Sequence, residues 1–237
     1  MSADANETQY IDIDGEAPRV DDAVLSRHSI RDYSNRPVPR ETLEELFELA
    51  LRAPSWKNSQ PWRIYVLTGA TRDRVAASLV KAARETQSSQ PDFEWPAAYP
   101  ADARRRMFDL GMRVYEAAGI ERKDKAARDE FMLRNFNFFG APVGVFITTT
   151  FEPNYYVALD LGCLLESIML LARARGLATC PQAALGAFPE VVRRELALSD
   201  AERVVCGLSM GYATPDSKLN RFHSPRAPLA ELLQFRE

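Results

Sequence analysis

YYVALDLGCLLESIMLLARARG, residues 155–176, is the most apolar long stretch of the chain, and its reading decides the fold. It is about as long as a bilayer-crossing helix. It also carries Asp160 and Glu166 inside and Arg173 and Arg175 near its end, charges that are expensive in lipid. The stretch is therefore expected to be a buried helix of a globular domain. It is apolar around most of its circumference, and a single domain face buries only one side of a helix. Ala158, Gly162, Cys163 and Ser167 permit close helix approach, so a second copy of the chain, a homodimer, is expected to cover the rest. Gly176 suits the left-handed cap that ends such a helix.

Working outward, PVGVFITTT (142–150) is β-branched and apolar and reads as a buried strand, as do RIYVL (63–67) and RVVCGLSMGYA (203–213). Residues 41–52 place Leu43, Leu46, Phe47, Ala50 and Leu51 at helical spacing and stop at Ala53-Pro54. Helices are also expected over 71–86, 101–118, 123–137 and 189–197, with Gly119 as a cap and Pro189 at a permitted first-turn position. The stretch 87–100 has prolines and aromatics without periodicity and opens an irregular excursion; the tail from Thr214 is rich in proline and arginine. Strands separated by helices predict a three-layer α+β or α/β sandwich.

The 237 residues, 46% of them hydrophobic, suffice for one compact domain, expected over 21–237 after a poorly ordered acidic leader, residues 1–20. The leader lacks the basic start and apolar core of a secretory signal. A net charge of −3 argues against nucleic acid or anionic lipid as partners. Cys163, Cys180, Cys206, His28 and His223 form no metal-ligand spacing, which fits a reducing cytoplasm and no structural zinc. The chain offers no Ser/His/Asp or Cys/His set, no phosphate-binding G-x-x-x-x-G-K-[ST] loop, and no G-x-G-x-x-G after a strand. Hydrolase and nucleotide-triphosphatase readings lose their usual support.

Four stretches carry donors. RHSIRDY (27–33) sets Arg27, His28, Ser29 and Arg31 close together, a group suited to phosphate oxygens, or else a solvated helix end. PSWKNSQPW (54–62) holds Ser55, Asn58, Ser59 and Gln60, which can read the edge of a heterocycle or simply make a turn. CPQAALGAF (180–188) has small residues that let a planar ligand approach the backbone, or is an ordinary helix-to-helix connection. In SPRAPLAEL (224–232), Arg226 sits between stiffening prolines; alone, it is a surface arginine.

Taken in order, R-H-S-I-R, A-P-S-x-x-N-x-Q-P-W, F-F-G-A-P-V, P-Q-A-A-L and P-R-A-P-L-x-E-L resemble the FMN-dependent nitroreductase family, its nitrobenzoate reductase-like branch in particular, over residues 20–232. The resemblance implies an α+β, three-layer α/β/α sandwich with a central mixed sheet, an intertwined homodimer, and residues 87–130 as a lid. It implies FMN as bound cofactor and NADH or NADPH as electron donor. Arg27 and Ser29 would take the phosphate, His28 would add backbone or ring contacts, and Arg31 would face the N1/O2 side of the ring. Ser55, Trp56 and Asn58 would reach the flavin of the opposite subunit, Pro181, Gln182 and Ala183 would lie along the ring, and Arg226 would complete the phosphate site.

The implied reaction is ping-pong reduction of nitroaromatic or quinone-like substrates, with no side chain acting as acid or base. Family members often carry a lysine where Ser224 stands, so Arg27 or Arg221 would compensate; Gln182-Ala183-Ala184 replaces an acidic residue found in some, and Arg134 and Asn137 fall near ring or ribityl contacts. In the lid, Phe93, Trp95, Tyr99, Phe108 and Tyr115 could stack on an aromatic substrate and Arg104, Arg105 and Arg106 attract a carboxylate, or they are packed aromatics and solvated charges. Competing readings are a flavin-dependent dehalogenase or flavin-modifying enzyme, a non-catalytic flavin-binding protein, and a dimeric scaffold without cofactor.

Overall fold

The structure is a computed structural model that describes residues 15–16, 19–85 and 89–237. Most of the expected leader, residues 1–14 and 17–18, lies outside the described residues, as do residues 86–88, where the expected helix 71–86 meets the expected lid.

Strand β2 (Val143–Thr149) is buried along its whole length. Val143, Val145 and Ile147 point to one face and Phe146 to the other, the period of two that a strand imposes. It is flanked by β1 (Arg63–Thr68) and β4 (Arg203–Gly211), and β3 (Ala178–Gln182) closes the order β1-β2-β4-β3. All three pairings are antiparallel. The sheet is mixed only through one isolated parallel bridge, Ser29 with Thr179. Residues 180–188, read as a segment for a planar ligand or a helix-to-helix connection, begin within β3, an edge strand, which is why it tolerates Pro181.

Each face of the sheet carries its own core. On one, α2 (Arg40–Ala50) and α6 (Tyr155–Ala174) bring Leu43, Leu46, Leu161, Leu164 and Ile168 against Val145, Ile147 and Leu208. On the other, α3 (Gly69–Glu85), α4 (Ala101–Ala117), α5 (Lys125–Leu133) and α7 (Pro189–Leu196) bring Val75, Leu79, Val114, Phe131 and Val192 against Phe146 and Val204. These are the three layers expected. Short helices α1 (Val20–Ser26) and α8 (Leu229–Leu232) stand near the ends of the described chain.

Local chemistry sets the boundaries. Asn154 caps α6 by accepting from Tyr156 N and Val157 N at 3.0 Å each, and Gly176 follows its end at φ 70°. Gly119 does the same after α4 at φ 70°. The helix expected over 123–137 stops at Leu133, because Phe138 and Phe139 both take positive φ and turn the chain into β2. By length and composition α6 could cross a membrane. Its buried line Val157, Leu161, Leu164, Ile168 and Ala172 instead packs on the sheet, and its buried Arg173 donates from Nε to Ser26 Oγ at 2.8 Å.

Candidate functional site

After α1 the chain is extended, and Ile30 N donates to Thr179 O at 3.0 Å, laying residues 27–31 along β3. Ile30 is wholly buried. In extended backbone Arg27, Ser29 and Arg31 then share the opposite side, which is the physical content of the R-x-S-x-R spacing. Beneath them lies Cys180, whose thiol is raised by burial against the opposing pull of Arg31, Ser29 and Arg27.

Asn220 brings the C-terminal segment alongside. Its Oδ1 accepts from Arg31 N at 3.1 Å, its Nδ2 donates to Asp32 O at 2.7 Å, and its carbonyl lies 2.6 Å from His28 Nε2. His28 also packs on His223, with ring centroids 4.1 Å apart and planes tilted by 51°. Burial, then the charges of His28 and Arg226, push His223 down from 6.5 to about 4.

Arg226 donates to the Ser224 carbonyl at 2.7 Å and to its hydroxyl at 2.8 Å. Ser224, standing where a lysine was expected, thus aims the arginine. Arg27, His28, Ser29, Arg31, Leu110, Phe222, Ser224 and Arg226 line one cavity of about 80 Å³. Arg221 pairs with Asp216 and is not among the lining residues.

The segment expected along a planar ligand adjoins this cluster. Gln182 is buried, its Nε2 donating to the Asn135 carbonyl at 2.9 Å and its Oε1 accepting from Ser209 Oγ. Its side chain is committed to the core, so half-buried Pro181 and exposed Ala183 form the outward surface. Arg134 Nη2 donates to Arg31 O at 3.1 Å and its guanidinium covers Phe131 and Phe139. It supports the cluster from behind. Asn137 turns away, its carbonyl accepting from Arg72 on α3 at 2.6 Å.

Ser55, Trp56 and Asn58 are not brought to the cavity. Their loop docks on α6, where buried Asp160 accepts from Trp56 N at 2.9 Å and Ser59 Oγ at 3.3 Å. Trp56 packs on Tyr156 with centroids 4.7 Å apart, and Ser55 Oγ accepts from Gln60 N at 3.0 Å. Lys57, Asn58 and Gln60 all have positive φ, a strained backbone held by these bonds. Asp160 and Asn220 are the positioning residues that sequence reasoning missed. A carboxylate inside an apolar helix was a signal for the first; a lone asparagine gave none for the second.

The lid residues divide. Tyr115 packs on Phe131 in the core and Phe93 against the α2–α6 face, so neither is free to stack on a substrate. Trp95, Tyr99 and Phe108 are exposed. Arg105 and Arg106 meet Arg113 and Arg226 in a second cavity.

The nitroreductase family model matches residues 24–212. The chain is 36% identical to a 4-nitrobenzoate reductase of Pseudomonas putida over 87% of this chain and 90% of that one. It is 36% identical to a chloronitrobenzene nitroreductase of Comamonas testosteroni over 92% and 97%. Among solved structures, the FMN-dependent nitroreductase NfnB from Mycobacterium smegmatis in complex with NADPH superposes with a TM-score of 0.88 at 33% identity, covering 92% of this chain and 97% of that one. With two of the motif segments lining one arginine-rich cavity, a third running alongside it, and the family match spanning nearly the whole domain, the chain belongs to the nitroreductase family.

Proposed function

We propose that this protein is an NAD(P)H-dependent FMN oxidoreductase that reduces nitroaromatic or quinone-like substrates by a ping-pong course, as an intertwined homodimer. The observation that carries the reading is the convergence of Arg27, Ser29, Arg31 and Arg226 on one small cavity. These donors fit a phosphomonoester, since arginine forks bind its oxygens bidentately. At about 80 Å³ the cavity holds less than three times the ~30 Å³ that a water occupies in the liquid, room for a phosphate and not for a three-ring heterocycle. The ring would be held outside it, where half-buried Pro181 and exposed Ala183 offer a surface.

When bound, FMN supplies the two-electron chemistry, and the protein's part is orientation and electrostatics. Arg27, Ser29 and Arg226 would hold the phosphate; Ser224 fixes Arg226, and Asn220 fixes the Arg31 backbone and the His28 ring. Arg31, which lines the same cavity, would supply positive charge to the pyrimidine end of the ring. The electron donor and the oxidised substrate occupy the open face in turn. Asp160 sets the Ser55–Asn58 loop for the flavin of a partner copy, which accounts for its distance from its own chain's cavity.

The visible spectrum of purified protein, followed by anaerobic NADPH or NADH, tests the reading. Flavin bands that bleach with a donor and recover with 4-nitrobenzoate are expected. A colourless protein that fails to take up added FMN would overturn it.

A further inference from the structure

The second cavity, about 390 Å³, shares Leu110, Ser224 and Arg226 with the phosphate cavity, so the two are contiguous. Arg105, Arg106 and Arg113 enter it from α4, and Met107, Pro225 and Pro228 give it apolar walls. Arg106 is tied to Asp102 at 2.7 Å. Arg105 and Arg113 form no ion pair among the described residues; Asp109 stands one turn from each, and Glu231 lies across the cavity. Unpaired guanidinium groups beside flat apolar surface suit a ligand that carries both a phosphate and a heterocycle.

Resting on the function proposed above, we infer that this cavity takes the adenosine 2′-phosphate end of NADPH and makes Arg105 and Arg113 determinants of preference for NADPH over NADH. The nicotinamide must reach the flavin ring, and a diphosphate tether leads from it to the adenosine. A cavity that opens from the flavin-phosphate site lies along that course. NADH presents a ribose hydroxyl where NADPH presents a phosphomonoester, so the arginines act on one donor and little on the other.

Calorimetric titration of the FMN-loaded protein with 2′,5′-ADP and with 5′-AMP tests this without turnover. The former is expected to bind about tenfold more tightly or better, the size of one charge-assisted contact. In the R105A/R113A double variant that difference should vanish, and the KM for NADPH should rise about tenfold relative to that for NADH. Equal binding of the two nucleotides by the unaltered protein overturns the inference. So does a defect in the double variant that follows 4-nitrobenzoate over nitrobenzene, which would give the cavity to a substrate carboxylate. Retained flavin bleaching alongside either result leaves the oxidoreductase reading standing, while absent bleaching with intact 2′,5′-ADP preference would sink that reading alone.

Discussion

His223 couples the fold to pH at a single residue beside the proposed phosphate site. Its ring lies against His28 and near Arg226, and it titrates at about 4 where an unfolded histidine titrates near 6.5. Both states are neutral above 6.5, so the fold is at full stability there. Between 6.5 and about 4 the unfolded chain gains a proton that the folded chain refuses, and stability falls. Denaturant titrations at pH 7 and pH 5 should therefore show a lower midpoint at pH 5, and His223→Gln should shrink the difference. An undiminished acid loss in that variant would assign it to other groups. At this scale the sequence was legible where a residue acts through its neighbours. Arg27, Ser29 and Arg31 were legible as a cluster of donors, but spacing alone left a solvated helix end open; the extended backbone that puts them on one side is set by pairing with β3. Asn220 and Asp160 act across the fold, on Arg31 and on Trp56, and no local pattern encodes such contacts.

Among the elements, β2 is governed by a glycine. A Cβ on Gly144 would lie 2.6 Å from the ring of Phe138, which is wholly buried against Phe146. Neither ring has space to retreat, so Gly144→Ala should cost about 1–3 kcal/mol of overpacking. Urea unfolding of the variant should show the lower midpoint with an unchanged slope. An unaltered midpoint would mean that the Phe138–Phe139 turn repacks freely. That turn also backs the site, because Phe139 lies 6.0 Å beneath the Arg31 guanidinium. The strands that sequence disclosed, β1, β2 and β4, are those whose β-branched residues advertise a buried ladder. β3 escaped because Ala178-Thr179-Cys180-Pro181-Gln182 holds one β-branched residue and a proline; its strand character comes from pairing with β4, a tertiary effect. The early end of α5 escaped for a related reason, since two phenylalanines at positive φ have no sequence signature.

For the whole molecule the decisive feature is apolar surface that one chain leaves uncovered. Tyr155, Tyr156 and Leu159 stand out from α6 beside small Ala158, Gly162 and Cys163. Elsewhere a groove of about 730 Å³ runs between α2 and the edge strand β1, lined by Val38, Leu43, Phe47, Trp62, Ile64 and Val66. Leu229, Leu232 and Phe235 project from the C-terminal tail, each more than 70% exposed. Patches of this extent mark interaction sites on soluble proteins. In the homodimer proposed above, a second copy would cover all three at once, with α6 against α6 and the tail of each chain along the groove of the other. The all-round apolarity of α6 was readable from its sequence, whereas the groove depends on α2 meeting a strand edge and was not. The same proposed arrangement would carry the strained Ser55–Asn58 loop, anchored on α6 through Asp160, toward the flavin site of the partner. Dimerisation and flavin retention should therefore fail together. Leu159→Arg places a charge at the centre of the exposed α6 face, where it costs a lone chain little because the position is 64% exposed. Sedimentation of the variant should show the mass of one chain with its circular dichroism kept, and its FMN affinity should fall at least about tenfold, the measure of 1.4 kcal/mol in lost partner contacts. A variant that stays dimeric and yellow would place the subunit contact elsewhere and leave the Asp160-anchored loop a structural turn.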